Sequence, residues 1–165
     1  LTGLPNRRAF HNRLKLALDE STSSNTEMGL LFIDLDRFKE VNDTLGHESG
    51  DALLQHVSRQ LQTLLRSTDI VARLGGDEFA FLLFGDPELT RETAIAIAER
   101  VVEQLRIDVP SPSGVIRVGC TVGLALYPVD ATDQGGLLAL ADRLMYAGKK
   151  SGRNRLVTVN ELNAA

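Results

Sequence analysis

Residues 69–84, "DIVARLGGDEFAFLLF", constrain this chain more than any other stretch. Two apolar arms, "DIVARL" and "FAFLLF", flank Gly75 and Gly76. A Gly-Gly pair readily supplies the positive φ angles of a tight two-residue turn, so the stretch predicts a β-hairpin. A hairpin does not require two acids at its tip, and like charges held close together repel. Asp77 and Glu78 therefore call for a chemical reason.

The rest of the chain alternates helix and strand. "RRAFHNRLKLAL" places Phe10, Leu14 and Leu18 at helical spacing, and "STSSNTE" over 21–27 reads as a polar loop. "MGLLFIDL" is a continuous apolar run, as expected of a strand buried on both faces. "ALLQHVSRQLQTLL" and "LTRETAIAIAERVVEQL" are amphipathic helices. "VPSPSG" reads as a turn, "VIRVGCTVGLALYP" as strand-rich, "GGLLALADRLMYAGKK" as a last helix and "RLVTV" as a final strand. The order α, β, α, β-hairpin, α, β, β, α, β predicts an α/β (α+β) sandwich with helices around a mixed central sheet. One domain over 1–159 is expected, with 160–165 a tail or linker.

Composition bounds the function. The 165 residues suffice for one domain with a real core. A net charge of −4 argues against a broad nucleic-acid surface while leaving room for a local phosphate site. The single Cys120 excludes an intrachain disulfide and fits a reducing, cytoplasmic setting. No apolar run approaches the ~20 residues of a membrane span, so this domain is expected to make no membrane contact, although its parent protein can be membrane-anchored. The opening "LTGLPNRRAF", without an initiator Met, suggests a piece of a longer protein with fused sensory or effector domains.

The acids form a pattern. Asp34 and Asp36 end a buried strand, where positions i and i+2 share one side. They either cap the next turn or do chemistry. If that strand pairs beside the hairpin, Asp34 and Asp77 can meet at one sheet edge. Carboxylates from separate segments suit Mg²⁺ (or Mn²⁺), and the chain has no His/Cys cluster for zinc. "AGKKSGRNR" over 147–155 adds Lys149, Lys150, Arg153 and Arg155 at a helix end. Cations are common there for the helix dipole alone, but beside clustered acids they point to a nucleoside triphosphate.

With "GGDEF" at 75–79 the chain resembles the family named for that motif, the diguanylate cyclase domain. "LTGLPNRRAF", "FIDLDRFKEVNDTLGHESGDALL", "TVGLALYP" and "ADRLMYAGKKSGRNR" are similar to its other blocks, in order and over essentially the whole length. The resemblance implies a fold like adenylyl cyclase and polymerase palm domains. It implies condensation of two GTP into cyclic di-GMP and two pyrophosphates by a transient homodimer of facing protomers. By motif position, Asp34, Asp77 and the Leu35 carbonyl would hold Mg²⁺, and Asp77 or Glu78 would help deprotonate the 3′-hydroxyl. Asn42 and Asp51 would read the guanine edge, with His47 nearby. Lys39, Lys149 and Arg153 would bind phosphates and stabilise charge in the transition state. Arg66 and Asp69 of "RSTD" match the family's inhibitory site, where cyclic di-GMP binds as feedback; otherwise Arg66 caps the preceding helix and Asp69 starts a turn. The rival reading is a catalytically silent module that binds GTP or cyclic di-GMP. An adenylyl-type cyclase is disfavoured by the Asn42/Asp51 pair.

Overall fold

The computed structural model describes residues 1–164, with side chains described through Glu161. The elements run α1 (Arg7–Ser24), β1 (Met28–Asp36), α2 (Phe38–Leu45), α3 (His47–Thr63), β2 (Ile70–Gly75) and β3 (Glu78–Leu83). They continue with α4 (Arg91–Gln104), β4 (Ile107–Ser111), β5 (Gly114–Tyr127), α5 (Gln134–Lys150), β6 (Arg155–Val157) and α6 (Val159–Ala164). The strands form one mixed six-stranded sheet in the order β2-β3-β1-β5-β4, with β6 parallel to β5. This is the expected α+β sandwich.

β1 lies at the centre, antiparallel to both β3 and β5. Its alternation sorts the core into two layers. Leu31, Ile33 and Leu35 face the layer shared with α3 and α4, where Val57, Leu61, Ala98 and Val101 are buried. Met28 and Leu30 face the layer of α1 and α5, with Phe10, Leu14, Leu137 and Ala141. Both faces are covered, which is why β1 reads as an unbroken apolar run. Asp34 and Asp36 continue the Met28/Leu30 series and so emerge on the α5 side.

Several local expectations are corrected. The polar stretch 21–27 is helical through Ser24, because Asn6 caps the helix start and Asn25, in the left-handed region, ends it. "VPSPSG" is mostly strand: Val109, Pro110 and Ser111 belong to β4. A proline is tolerated there because β4 is an edge strand. α2 has only Val41 fully buried, and Gly46 separates it from α3, so it has no periodicity to detect. The two-residue turn of the hairpin is Gly76–Asp77 rather than Gly-Gly, since Gly75 pairs with Glu78 and the register shifts between Arg73 and Gly75. Both glycines have positive φ, 146° and 52°. Of the tail expected over 160–165, residues 160–164 belong to α6, and Ala165 lies outside the described residues.

Two glycines seat α5 on β5. A Cβ at Gly123 would lie 2.2 Å from the Ala141 carbonyl oxygen and 2.5 Å from the Met145 nitrogen. One at Gly148 would lie 2.5 Å from Thr121 Cγ2. This close approach brings the end of α5, with Lys149, over the end of β1. Gly123→Ala should therefore lower the unfolding free energy by about 3 kcal/mol, because helix backbone cannot step aside as a side chain can. Gly135→Ala, whose Cβ would meet nothing nearer than 3.8 Å, should be neutral or slightly stabilising. Urea denaturation of both variants checks the contrast.

Candidate active site

The register of β1 against β3 brings the expected acids together. Asp34 pairs with Glu78, and the Leu35 N–H donates to the Asp77 carbonyl at 3.1 Å. Asp34 is partly buried, and its Oδ1 has no hydrogen-bond partner. Its carboxyl is raised from the ordinary 3.8 to about 7, first by burial and then by the negative charge of Asp77, against the opposing pull of Lys149. Glu78 is half exposed and receives Arg7 at 3.4 Å.

Asp36 plays a different part. It is buried and fully served: Thr121 Oγ1 donates at 2.9 Å, Lys149 Nζ at 2.6 Å and the Asn154 N–H at 2.9 Å. Lys149 also lies 3.5 Å from Asp34 Oδ2 and donates to the Leu35 carbonyl at 3.4 Å. Its ammonium thus sits among the groups that the motifs assign to a metal. Sequence reasoning placed Asp36 beside Asp34 but assigned it no partner; Thr121 and Asn154 went unnoticed. The period-two spacing signals a shared side, whereas the partners on β5 and after α5 require the pairing register.

These groups fit a magnesium-type ion. Among the described residues no three His, Cys, Asp or Glu side chains gather as a metal cluster. Mg²⁺, however, commonly uses one or two carboxylates and completes its shell with water and phosphate oxygens. A bare, partly buried carboxylate oxygen beside a second carboxylate and a main-chain carbonyl supplies that partial set, and a cation relieves the Asp34–Asp77 repulsion.

The other expected residues are less closely gathered. Asn42 sits on α2 against Gly50 of α3, where any Cβ would fall 1.8 Å from Asn42 Oδ1. That oxygen is buried against α3 and has no hydrogen-bond partner. His47 and Asp51 are exposed on the first turns of α3 and make no hydrogen bond to the carboxylates. Lys39 is 89% exposed and paired with Asp43 at 2.8 Å, so the structure does not bring it to the acids. The Arg153 side chain is exposed, and its backbone is left-handed, with φ 62°.

Arg66 and Asp69 meet each other. Arg66 Nε and Nη2 donate to the two Asp69 oxygens at 2.9 and 3.0 Å, and Nη1 donates to Asp86 at 2.7 Å. The Asp69 side chain is wholly buried under this fork, whereas Arg66 stays one-third exposed.

The family described as "Diguanylate cyclase, GGDEF domain" matches residues 1–155. Diguanylate cyclase TpbB of Pseudomonas aeruginosa is 40% identical over 164 residues, 98% of this chain and 37% of TpbB. The crystal structure of the TpbB GGDEF domain superposes with a TM-score of 0.87 at 40% identity, covering 96% of this chain and 98% of that one. The coiled coil and GGDEF domain of DgcB from Caulobacter crescentus, solved in complex with c-di-GMP, superposes with a TM-score of 0.86 at 26% identity, covering 96% and 83%. The chain belongs to the GGDEF domain family of diguanylate cyclases. It spans little more than a third of the length of TpbB. Among the described residues no helix is long and apolar enough to cross a membrane.

The environment of Asp34 leaves a pH signature. Its folded-state pKa is raised, so ionising it costs stability in full above about pH 7, and the cost fades as pH falls toward 4. Without divalent cations, Asp34→Asn should raise Tm at pH 8 by about 2–4 °C, with a smaller gain at pH 5. Calorimetry at both pH values decides; an equal or larger gain at pH 5 contradicts the assignment.

Proposed function

We propose that this domain is a diguanylate cyclase that condenses two GTP into cyclic di-GMP. The observation that carries this reading is the intact Asp34–Asp77 pair, with its bare Asp34 oxygen, held beside Lys149 at one end of the sheet. Asp34, Asp77 and the Leu35 carbonyl would hold Mg²⁺ or Mn²⁺. When bound, that ion neutralises and orients the substrate phosphates. Lys149 and Arg153 take up the remaining phosphate charge, and Lys39 can join them only by leaving Asp43. The Asn42 carbonyl oxygen and the Asp51 carboxylate accept from the guanine N1–H and 2-amino group. Adenine lacks that pair of donors, so GTP is preferred over ATP.

In each transfer the 3′-oxygen of one GTP bonds to the α-phosphorus of the other. The bond to the β-phosphate oxygen breaks, and pyrophosphate leaves with the electron pair. The hydroxyl proton passes to Asp77 or Glu78. Most of the catalysis is positioning and charge stabilisation. The product contains two such bonds related by a two-fold axis, so two protomers, each holding one GTP, face each other as a transient homodimer.

Turnover of GTP with Mg²⁺ is the deciding measurement. Asp77→Asn should lower it by about 100-fold or more with circular dichroism unchanged, and specific activity should rise with protein concentration. One relative, 37% identical over 166 residues, is named cyclic di-GMP phosphodiesterase PdeR of Escherichia coli. Absence of turnover at every concentration, with GTP still bound, would establish the silent binding module instead.

Arg66, one-third exposed, is the residue that reaches cyclic di-GMP at an inhibitory site, with buried Asp69 holding its guanidinium in place. The c-di-GMP complex of the DgcB domain supports a product-binding role in this family. Arg66→Ala should raise the cyclic di-GMP concentration for half-inhibition by about ten-fold or more, since a charge-assisted contact is lost. Initial rates against added product check this, and an unchanged inhibition constant rejects the site.

A further inference from the structure

Beyond Asp36, on the side away from Asp34 along β1, lies an open cleft of about 550 Å³ whose lining includes Arg37, Arg106, Arg117 and Arg153. These four guanidinium groups come from four separate segments: after β1, before β4, within β5 and after α5. Only Arg37 is ion-paired, with Glu40 at 2.9 Å; among the described residues Arg106, Arg117 and Arg153 have no carboxylate partner. Two acids also line the cleft. Asp36 is committed to Lys149, Thr121 and Asn154, and Asp108 is exposed opposite Arg117 in the β4–β5 register. The cleft is therefore cationic within a chain of net charge −4.

The wall on the Asp36 side is built rather than incidental. Gly152, Arg153 and Asn154 all have positive φ, at 122°, 62° and 50°. Two side-chain-bearing residues in that region are strained unless their surroundings hold them. Here the Arg153 N–H donates to Gly148 O at 2.9 Å and the Asn154 N–H to buried Asp36 at 2.9 Å. Asn154 Oδ1 in turn receives Arg106 Nε at 3.1 Å, and the terminal nitrogens of Arg106 have no partner among the described residues. Arg153 lines this cleft and is also assigned to phosphate in the preceding reading.

We propose that this cleft binds an oligophosphate through Arg106 and Arg117, extending the grip of Arg153 away from the metal-holding carboxylates. Guanidinium forks match phosphate oxygens in pairs, and several linked phosphates match guanidinium groups from four segments of one cleft better than a single phosphate does. The ligand is either released pyrophosphate or the triphosphate tail of the nucleotide. Naming these two sources rests on the cyclase reading; the binding itself does not.

Calorimetric titration of the protein with inorganic pyrophosphate, without GTP or divalent cations, tests the proposal. Saturable binding is expected, at least ten-fold tighter than for orthophosphate. Arg106→Ala and Arg117→Ala should each weaken it by about ten-fold, with Arg117→Lys intermediate. Arg143→Ala, on the exposed face of α5, removes the same charge elsewhere and should change it less than two-fold. A matching loss for a non-hydrolysable GTP analogue assigns the cleft to the triphosphate tail, whereas a loss confined to pyrophosphate assigns it to the released product. No saturable binding, unchanged binding in both alanine variants, or an equal loss in Arg143→Ala overturns the proposal. Because no turnover is read, a chain without cyclase activity can still pass, and an active cyclase can still fail.

Discussion

A single buried carboxylate, Asp36, ties four parts of the molecule together. It ends β1, accepts from Thr121 on β5 and from Lys149 at the end of α5, and receives a backbone N–H from the turn that follows. Burying such a group is costly unless its lone pairs are met, and here three donors meet them. The geometry of one end of the sheet follows. Lys149 is held over the end of β1, and the Gly152–Asn154 turn is fixed in a backbone region that only strong local contacts maintain.

Asp34 shows the opposite solution two residues earlier on the same side. One of its oxygens has no partner, and burial with Asp77 nearby opposes its ionisation. Two like residues on one strand thus differ, one with every lone pair served by the scaffold and the other with an oxygen left unpartnered. Asn42 repeats the pattern on α2, with a buried acceptor lacking a partner above a glycine that leaves it room. Such local frustration concentrates where a protein binds rather than where it packs.

The hairpin joins two chemistries. Arg66 and Asp69 precede the start of β2, and Asp77 lies at the turn beyond its end, so roughly 20 Å of strand separates the ion-paired cluster from Asp77. The cluster is closed in on itself, with Asp69 beneath the guanidinium and Asp86 beside it. A ligand arriving there meets Arg66 first.

The sequence by itself determined the sandwich, the central strand and the hairpin, because each rests on local periodicity or turn chemistry. The apolar run of β1 needed no partner to be recognised, and Asp34 and Asp77 were legible as a pair once that strand was set beside the hairpin. α2 was not legible, since a helix of eight residues with one fully buried side chain carries no periodic signal. β4 was hidden by a proline that only an edge position permits. Tertiary structure alone decided that Asp36 anchors while Asp34 keeps one oxygen unpartnered, because the donors come from β5 and from the end of α5, about 85 and 113 residues away. It alone showed Lys39 turned to Asp43 and Asp69 buried beneath Arg66, since side-chain pairing is not encoded in spacing. It alone gathered arginines 37, 106, 117 and 153 into one cleft, because four distant segments become neighbours only when the sheet closes their separation.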